Sequence, residues 1–484
     1  MELELCLDPD DASRLPRLKL LAAATRGRAQ PQRIVWHDSL DAALTADGLA
    51  LARERNLWRL ERLVPDPAEA WPPGAPPPVL AQAADFSAVG HDLPEPLAPV
   101  VAFVGRRHSY GLETAQGAVT LSLTRGTLRA VATERAASRV HLSGDDHAVL
   151  QLALALAGEL RLAVPLATLA GEALCTARAS APLPRRLGAP HLPEGLGISD
   201  AFAFVLAHLT EVVLHFAPFA AEDVSGPEPV HQMRVALRRL RSAVTVFQRV
   251  IDGPELAAAT AGLKALSTRL GPTRDWDVFL GETMPAVSAA FPNEPKLARL
   301  IAAGERRRRE CHAALRDFLR SAEFRRLGIG LAWLAAARSW YPAAAEGPEQ
   351  FVSLREFASD VLHRRRRKLL RTDDIAALDP RALHALRLQA KRARYAAEIF
   401  APLYPGKAPR RFIHRLTAVQ DGLGQLNDRA TAEKLLAELG GVGGRHAYAA
   451  GLVLGFAVAG TTAEVLPRVM RRWEKFQRAA AFWE

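Results

Sequence analysis

The chain has 484 residues, 49% of them hydrophobic and 24% charged, which is ordinary for a globular protein of two or three domains. Its net charge of +11 and pI of about 10 call for an acidic partner. Cys6, Cys175 and Cys311 are odd in number and far apart, no CxxC or Cys/His cluster suggests a zinc site, and a reducing cytoplasm fits best.

The N-terminus, MELELCLDPDD, is acidic and lacks the apolar core of a signal peptide. Glu2-Leu3-Glu4-Leu5-Cys6 alternates polar with apolar, which predicts a half-buried strand. Further strands are expected at 34–39, 49–55 and 58–64, with Arg53 and Arg55 sharing a face of the second. Residues 65–78, PDPAEAWPPGAPPP, break the pattern. Residues 94–104 resume it and lead into GRRHSY. Short strands are expected at 118–123 and 127–133 around a turn at Thr124-Arg125-Gly126, then another at 139–143. From Asp146 the spacing of Leu150, Leu154, Ala157, Leu160 and Leu162 predicts a helix. Many short strands with few helices predict an antiparallel barrel or sandwich.

Pro, Gly and Ser concentrate in 179–197, which marks a linker. Beyond it the pattern is helical almost throughout. Charge divides at the same place. Residues 1–178 hold 18 Lys+Arg against 21 Asp+Glu, and the remainder 45 against 31. The basic character therefore belongs to the helical part.

That part contains a repeat. Residues 230–247, VHQMRVALRRLRSAVTVF, return as LHALRLQAKRARYAAEIF at 383–400, a constant offset of 153. His231 falls on His384, Arg234 on Arg387, Arg238 on Lys391, Arg239 on Arg392, Arg241 on Arg394 and Phe247 on Phe400. The offset also carries LGPTRD, with Asp275, onto LGQLND, with Asp428. A long constant offset with matched residue types indicates duplication. In the first copy Met233, Leu237, Leu240, Val244 and Phe247 form one apolar stripe at helical period. His231, Arg234, Arg238 and Arg241 stack beside it as a cationic ladder, and His384, Arg387, Lys391 and Arg394 repeat that ladder. Like charges at this spacing repel, so the pattern asks for an anion.

Helices flank each ladder. Residues 200–216 correspond to 351–370, and 254–270 to 409–422. LGPTRDWDV and LGQLNDRAT are expected as turns, with Asp275 and Asp428 capping the next helix or pairing with a buried Arg. Basic helices are expected at 305–326 and 467–478. Additional cations placed near the ladders are Lys264, Arg309, His312, Arg316, Arg411, His414, Arg415 and Arg472. The longest uncharged stretch, 447–463, is too short for a spanning helix and is expected as a buried one, so no membrane partner is expected.

Two resemblances follow from these residues. ELELCL, IVWHDSLDAALTADGLALARER and LWRLERLV, within 1–178, resemble the start of CYTH domains, the triphosphate tunnel fold. That fold uses convergent acids for a divalent metal and paired bases for phosphate. Glu2 and Glu4 match its ExExK strand and Arg53 with Arg55 its paired bases. However, Cys6 stands at the Lys position, and no second acidic cluster follows. The resemblance therefore implies a degenerate tunnel, with no catalytic residue, metal or cofactor assigned.

VHQMRVALRRLRSAV with LGPTRDWDV, and LHALRLQAKRARYAAEIF with LGQLND, resemble a CHAD domain over 198–484. This implies an all-α pair of four-helix bundles related by a pseudo-twofold axis, with repeats at about 198–345 and 346–484. The whole chain is then multidomain, an α+β antiparallel barrel followed by the bundles. The implied activity is binding inorganic polyphosphate in a basic groove, through the ladder residues, and docking on polyphosphate granules in the cytoplasm. Physical chemistry agrees. A flexible line of phosphate needs converging cations, and Arg offers a planar fork for it. His231 and His384 sit near their pKa, where a polyanion favours protonation. Three rivals are weaker. Nucleic-acid readout wants aromatics or Asn/Gln among the bases, and the ladders carry none. Metal binding by the histidines lacks nearby carboxylates. A metal-dependent triphosphatase or polyphosphatase lacks its acids. Oligomeric state and preferred chain length do not follow from the sequence.

Overall fold

The structure, a computed structural model, describes residues 2–63, 79–82, 96–179, 188–222, 226–342, 353–372, 375–441, 443–459 and 462–484, with backbone only at 79–82, 341–342, 380, 425–429, 457–459 and 462–464. The proline-rich 65–78 and the centre of the expected linker, 180–187, lie outside the described residues. Two compact units form: residues 1–185 with 254–259 and 320–340, and residues 186–253, 260–319 and 341–484.

The first unit is built on an antiparallel sheet. Its elements are β1 (Glu2–Leu7), β2 (Thr25–Arg26), β3 (Gln30–Ser39), α1 (Ala43–Ala46), β4 (Leu49–Glu54), β5 (Leu57–Arg62), β6 (Val79–Gln82), β7 (Leu97–Thr114), β8 (Gly117–Arg129), β9 (Glu134–Gly144), α2 (Asp146–Glu159), β10 (Leu162–Ala163) and α3 (Leu169–Ala177). The strand order is β10-β1-β9-β8-β7-β3-β4-β5-β6, with β2 pairing β7. Closure into the expected barrel would need β6 to pair β10, and no such pairing occurs among the described residues.

The turn expected at Thr124-Arg125-Gly126 is absent, and β8 runs through it. Gly126 lies opposite Gly105 of β7. A Cβ on Gly105 would come within 2.3 Å of the Arg125 carbonyl oxygen, and one on Gly126 equally close to that of Val104. Glycine here marks a close approach of two strands inside a sheet, not a loop. The Phe103 ring lies over the pair.

Each face of the sheet has its own cover. Ile34, Trp36, Ala52, Val101, Phe103, Leu128 and Ala137 face α3 and pack on its Ala170, Ala173 and Leu174. The Thr168 hydroxyl caps α3 by accepting from the Gly171 N–H. On the other face, α2 packs against β8 and β9, with Asp145 as its N-cap. Helix α1 covers Leu51 and Leu60.

In chain order the helical part comprises α4 (Ile198–Glu222), α5 (Glu228–Phe247), β11 (Ile251–Asp252), α6 (Pro254–Val278), a π turn (Phe279–Thr283), α7 (Met284–Ala290), α8 (Pro295–Arg320), α9 (Ala322–Ala337), β12 (Tyr341–Pro342), α10 (Leu354–Leu369), α11 (Pro380–Phe400), α12 (Ala408–Glu438), α13 (Ala447–Ala459) and α14 (Thr462–Gln477). The expected helix 305–326 breaks at Ser321, whose hydroxyl caps α9 at the Phe324 N–H. Helix α9 belongs to the first unit and packs on α2, with Arg325 Nε donating to the Ala157 carbonyl at 2.8 Å. Neither LGPTRD nor LGQLND is a turn. Helices α6 and α12 pass straight through them, despite Pro272. Leu263, Leu266 and Leu270 of α6 are buried, so packing of the apolar stripe outweighs the local Gly-Pro signal.

Helix α4 is long and apolar enough to cross a membrane, yet 67% of its most apolar window is buried inside the fold. Helix α13 is less buried than its composition predicts. It buries Ala449, Ala450 and Val453 and exposes Gly451 and Gly455.

The two copies share cores. Trp276, Phe279, Leu297 and Leu300 of the first copy pack with Leu435, Leu436, Ala449 and Val453 of the second. Phe247 and its twin Phe400 are both fully buried, with ring centroids 6.0 Å apart. Phe202 and Phe357 complete this aromatic cluster. A residue that meets its own twin lies where a twofold relation would place it. Phe247→Ala opens that junction and should cost about 3–5 kcal/mol, read from denaturant unfolding of the full chain.

Candidate functional site

Helix α5 opens with Glu228 and Pro229 in its first turn, where an acid and a missing N–H suit a helix start. Helix α11 opens with Asp379, whose carboxylate accepts from the Ala382 N–H at 2.7 Å. Burial follows the expected stripe. Met233, Ala236, Leu237, Leu240 and Val244 are buried on α5, and Leu386, Ala390, Ala393, Ala397 and Phe400 on α11. Leu383 is only half-buried. Because the buried faces meet neighbouring helices, the ladders are carried on the adjoining faces.

The two ladders converge. Lys391 of the second copy feels Arg387 and Arg394 of its own helix and Arg234 and Arg238 of the other copy. Burial, then these four guanidinium groups, push the Lys391 ammonium down to about 8. The Arg238 pKa is also lowered, first by burial and then by Arg234, Arg394 and Arg239, with Tyr395 acting the other way. The Nε atoms of Arg238 and Arg387 are buried without a hydrogen-bond partner. Such donors are costly to leave unmade.

Two carboxylates enter this array. Asp275 pairs with Arg234 at 3.0 Å, and the same Nη1 donates to the Gly271 carbonyl at 2.7 Å. The expected pairing of Asp275 with an Arg is thus present, from within a helix and not from a cap. Glu398 accepts from Arg239 of the first copy at 3.1 Å and from Arg394 of the second at 2.8 Å. It bridges the two halves and stands where the first copy has Thr245. The side chain of Asp428 lies outside the described residues.

The duplication extends to contacts. Arg241 donates to the Ser267 hydroxyl and Arg394 to the Gln420 amide oxygen, positions that differ by the same 153. Arg234 lies against Gly271, and Arg387 against the twin Gly424. The glycines of the LG pairs thus leave helix backbone bare where a guanidinium crosses it. The offset could have found Ser267 and Gln420, and the i+4 spacing from Arg394 could have found Glu398. Arg274 beside His231 had no sequence signal.

The histidines differ. His231 is half-buried, and burial followed by Arg274, Arg238 and Arg234 lowers its pKa, while Glu228 opposes them. These causes favour its neutral form in the free protein. His384 is exposed. Arg392 is exposed and faces Arg365 and Arg249 instead of Lys391.

The outlying cations are scattered. Lys264, Arg309, Arg411, His414 and Arg415 are exposed and Arg316 is half-buried. No hydrogen bond or ion pair among the described residues joins them to the ladders. Arg472 donates to the Ala418 carbonyl at 3.1 Å, next to the contact of Gly422 with Val469. His312 is buried and bonded to Asp277 at 2.9 Å, with Arg308 on the same carboxylate at 2.7 Å. Burial works against the Asp277 charge, but these two partners hold its pKa below the usual carboxylate range. His312 thus closes an internal ion cluster and is not exposed to a ligand.

On the N-terminal sheet the strand register sets which charged residues share a face. Glu4 lies opposite His141, which lies opposite Ser122, then Ser109; two steps at a time along β7 lead to Phe103, then Ile34 and Glu54. Directly opposed residues share a face, so Glu4 and Glu54 face one way and Arg53, next to Glu54 along β4, the other. Arg53 therefore does not join the acids, and Arg55, with a φ of +56°, lies beyond the end of β4 and does not share its strand face as expected. On the acid side Arg139 is buried, 2.6 Å from Glu172 and 3.4 Å from Glu4. Burial opposes its charge, but these acidic neighbours keep its pKa above the ordinary value. Burial pushes the Cys6 thiol up to about 11. Both carboxylates are thus committed to an internal cation, and no group of three metal-ligating side chains occurs among the described residues. The residues present do not fit a divalent metal.

The CHAD domain model matches residues 204–437. The crystal structure of the CHAD domain from the plant Ricinus communis is 29% identical with a TM-score of 0.50, covering 60% of this chain and 97% of that one. PptA from Streptomyces chartreusis is 19% identical with a TM-score of 0.43, covering 59% and 99%. No curated protein matches the chain.

Lys391 yields a pH signature. Its folded pKa of about 8 lies below the ordinary 10.5, so the unfolded chain binds more protons between those values. Stability should rise as pH climbs through that window, and Lys391→Met should flatten the rise in urea midpoints measured from pH 7 to pH 10.5.

Proposed function

We propose that the CHAD domain at residues 204–437 binds inorganic polyphosphate along the facing cationic ladders of α5 and α11. One observation carries this reading. Lys391 lies among Arg234 and Arg238 of one copy and Arg387 and Arg394 of the other. Crowding these charges is unfavourable without an anion, and Asp275 and Glu398 offset only part of it. A polyphosphate chain supplies the remaining negative charge and accepts from the unpartnered Nε atoms of Arg238 and Arg387. It also favours the protonated forms of Lys391 and His231.

The ligand needs no base recognition. Among the described residues the amide beside the ladders, Gln420, is held by Arg394, and the ring of Tyr395 is buried beneath the same guanidinium. Polyphosphate therefore suits the array better than nucleic acid. On this reading the domain carries the protein to polyphosphate granules in the cytoplasm. The N-terminal sheet takes no catalytic role in it.

Calorimetry with long-chain polyphosphate at fixed salt tests the assignment. Arg238→Gln with Lys391→Gln should weaken binding at least about tenfold, the order expected for losing two charge-assisted contacts, with the circular dichroism spectrum intact. Unchanged affinity in that double variant would reject the site. Because binding raises the Lys391 pKa, the complex should take up a proton above pH 8, and wild-type affinity should fall from pH 8 to pH 9.5.

A further inference from the structure

The outer face of the N-terminal sheet, the one turned away from Glu4 and Arg139, carries arginines that nothing above uses. Arg53 of β4 lies opposite Val35 of β3. Two residues along β3 is Arg33, opposite Val104 of β7. Two residues along β7 is Arg106, opposite Arg125 of β8. Each step moves to the adjacent strand on the same face, so the four arginines form one diagonal across β4, β3, β7 and β8. Direct neighbours in such a sheet are about 5 Å apart at Cβ and diagonal ones about 7–8 Å.

All four are exposed. Among the described residues no carboxylate pairs with Arg33, Arg106 or Arg125. Glu134 is taken by Arg129, further along β8. Arg106 and Arg125 are directly opposite each other, an arrangement of like charge that destabilises a sheet. Their joint field, after burial, lowers the pKa of the neighbouring His108. Helices α1 and α2 cover the sheet to either side through Leu44 and Ala148, Val149 and Leu152, but Val104, between Arg33 and Arg106 in register, is exposed.

We propose that this arginine diagonal is a second contact for polyphosphate, on the sheet itself and separate from the ladders. The proposal rests on the function assigned to the ladders only for the identity of the polyanion. A linear phosphate polymer suits a row of guanidinium groups set at strand spacing. Single-stranded nucleic acid suits it less. Trp58, a ring on this face, is already covered by Arg53 at 5.2 Å and by His37 at 4.9 Å, and Tyr110 is buried, so among the described residues this face opens no aromatic surface for base stacking.

The full chain carrying Arg106→Gln with Arg125→Gln tests it, by titration with long-chain polyphosphate over a range of salt. The log-log salt slope should fall by about one to two, as expected for losing two phosphate contacts, and affinity at low salt should drop several-fold. The unliganded variant should melt at a higher temperature, because a repulsive pair is gone. Added to Arg238→Gln with Lys391→Gln, the pair should remove residual polyphosphate binding. A higher melting temperature with an unchanged salt slope overturns the proposal and leaves a solvated face. Loss of single-stranded DNA binding with polyphosphate binding intact overturns it in favour of nucleic acid. If the ladder variant keeps full affinity while the sheet variant loses it, the ladder assignment fails and the arginine diagonal stands.

Discussion

Half-buried cations held side by side repel, and the second unit is organised around that repulsion. Lys391, Arg234, Arg238, Arg387 and Arg394 come together because their helices are fastened elsewhere, at the aromatic junction of Phe247, Phe400, Phe202 and Phe357. Apolar burial there supplies the energy that charge crowding consumes. Glu398 takes one guanidinium from each copy, so the carboxylate that moderates the repulsion also ties the halves together. The residual cost is stored as a lowered Lys391 pKa and unpartnered Nε atoms. Both are features that an anion would relieve.

The first unit resolves a similar problem in the opposite way. Its buried arginine is paired with carboxylates, although its Nε and Nη1 make no hydrogen bond. Arg139 meets Glu172, Glu4 and the Ala167 carbonyl, and α3 fills the remainder of that face with alanine and leucine. An internal ion pair of this kind neutralises Glu172 and Glu4 from within the fold. The unsatisfied charge lies on the opposite surface, where the strand register aligns arginines that the interior does not need.

Glycine serves both units by permitting close approach. The pair Gly105 and Gly126 lets β7 and β8 cross tightly under Phe103. Gly271 and Gly424 leave the backbone of α6 and α12 open to Arg234 and Arg387. In sequence three of them, Gly126, Gly271 and Gly424, sit in stretches that read as turns, because glycine is also the residue of turns. The backbone instead continues through each, held by leucines and by strand pairing on either side.

The amino-acid sequence by itself determined the duplication, the helical faces of α5 and α11, and the order in which cations recur along them. Those depend on a local period of 3.6 residues and on a constant offset, which need no knowledge of distant contacts. The alternation of β1, β3 and β4 was legible for the same reason. Tertiary structure decided which face met what. It brought Glu398 between Arg239 and Arg394, enclosed His312 with Asp277, and turned Arg53 away from Glu4. Strand register and helix packing link residues far apart in the chain, and a shift of one residue in pairing reverses a face, so no local pattern could fix these outcomes.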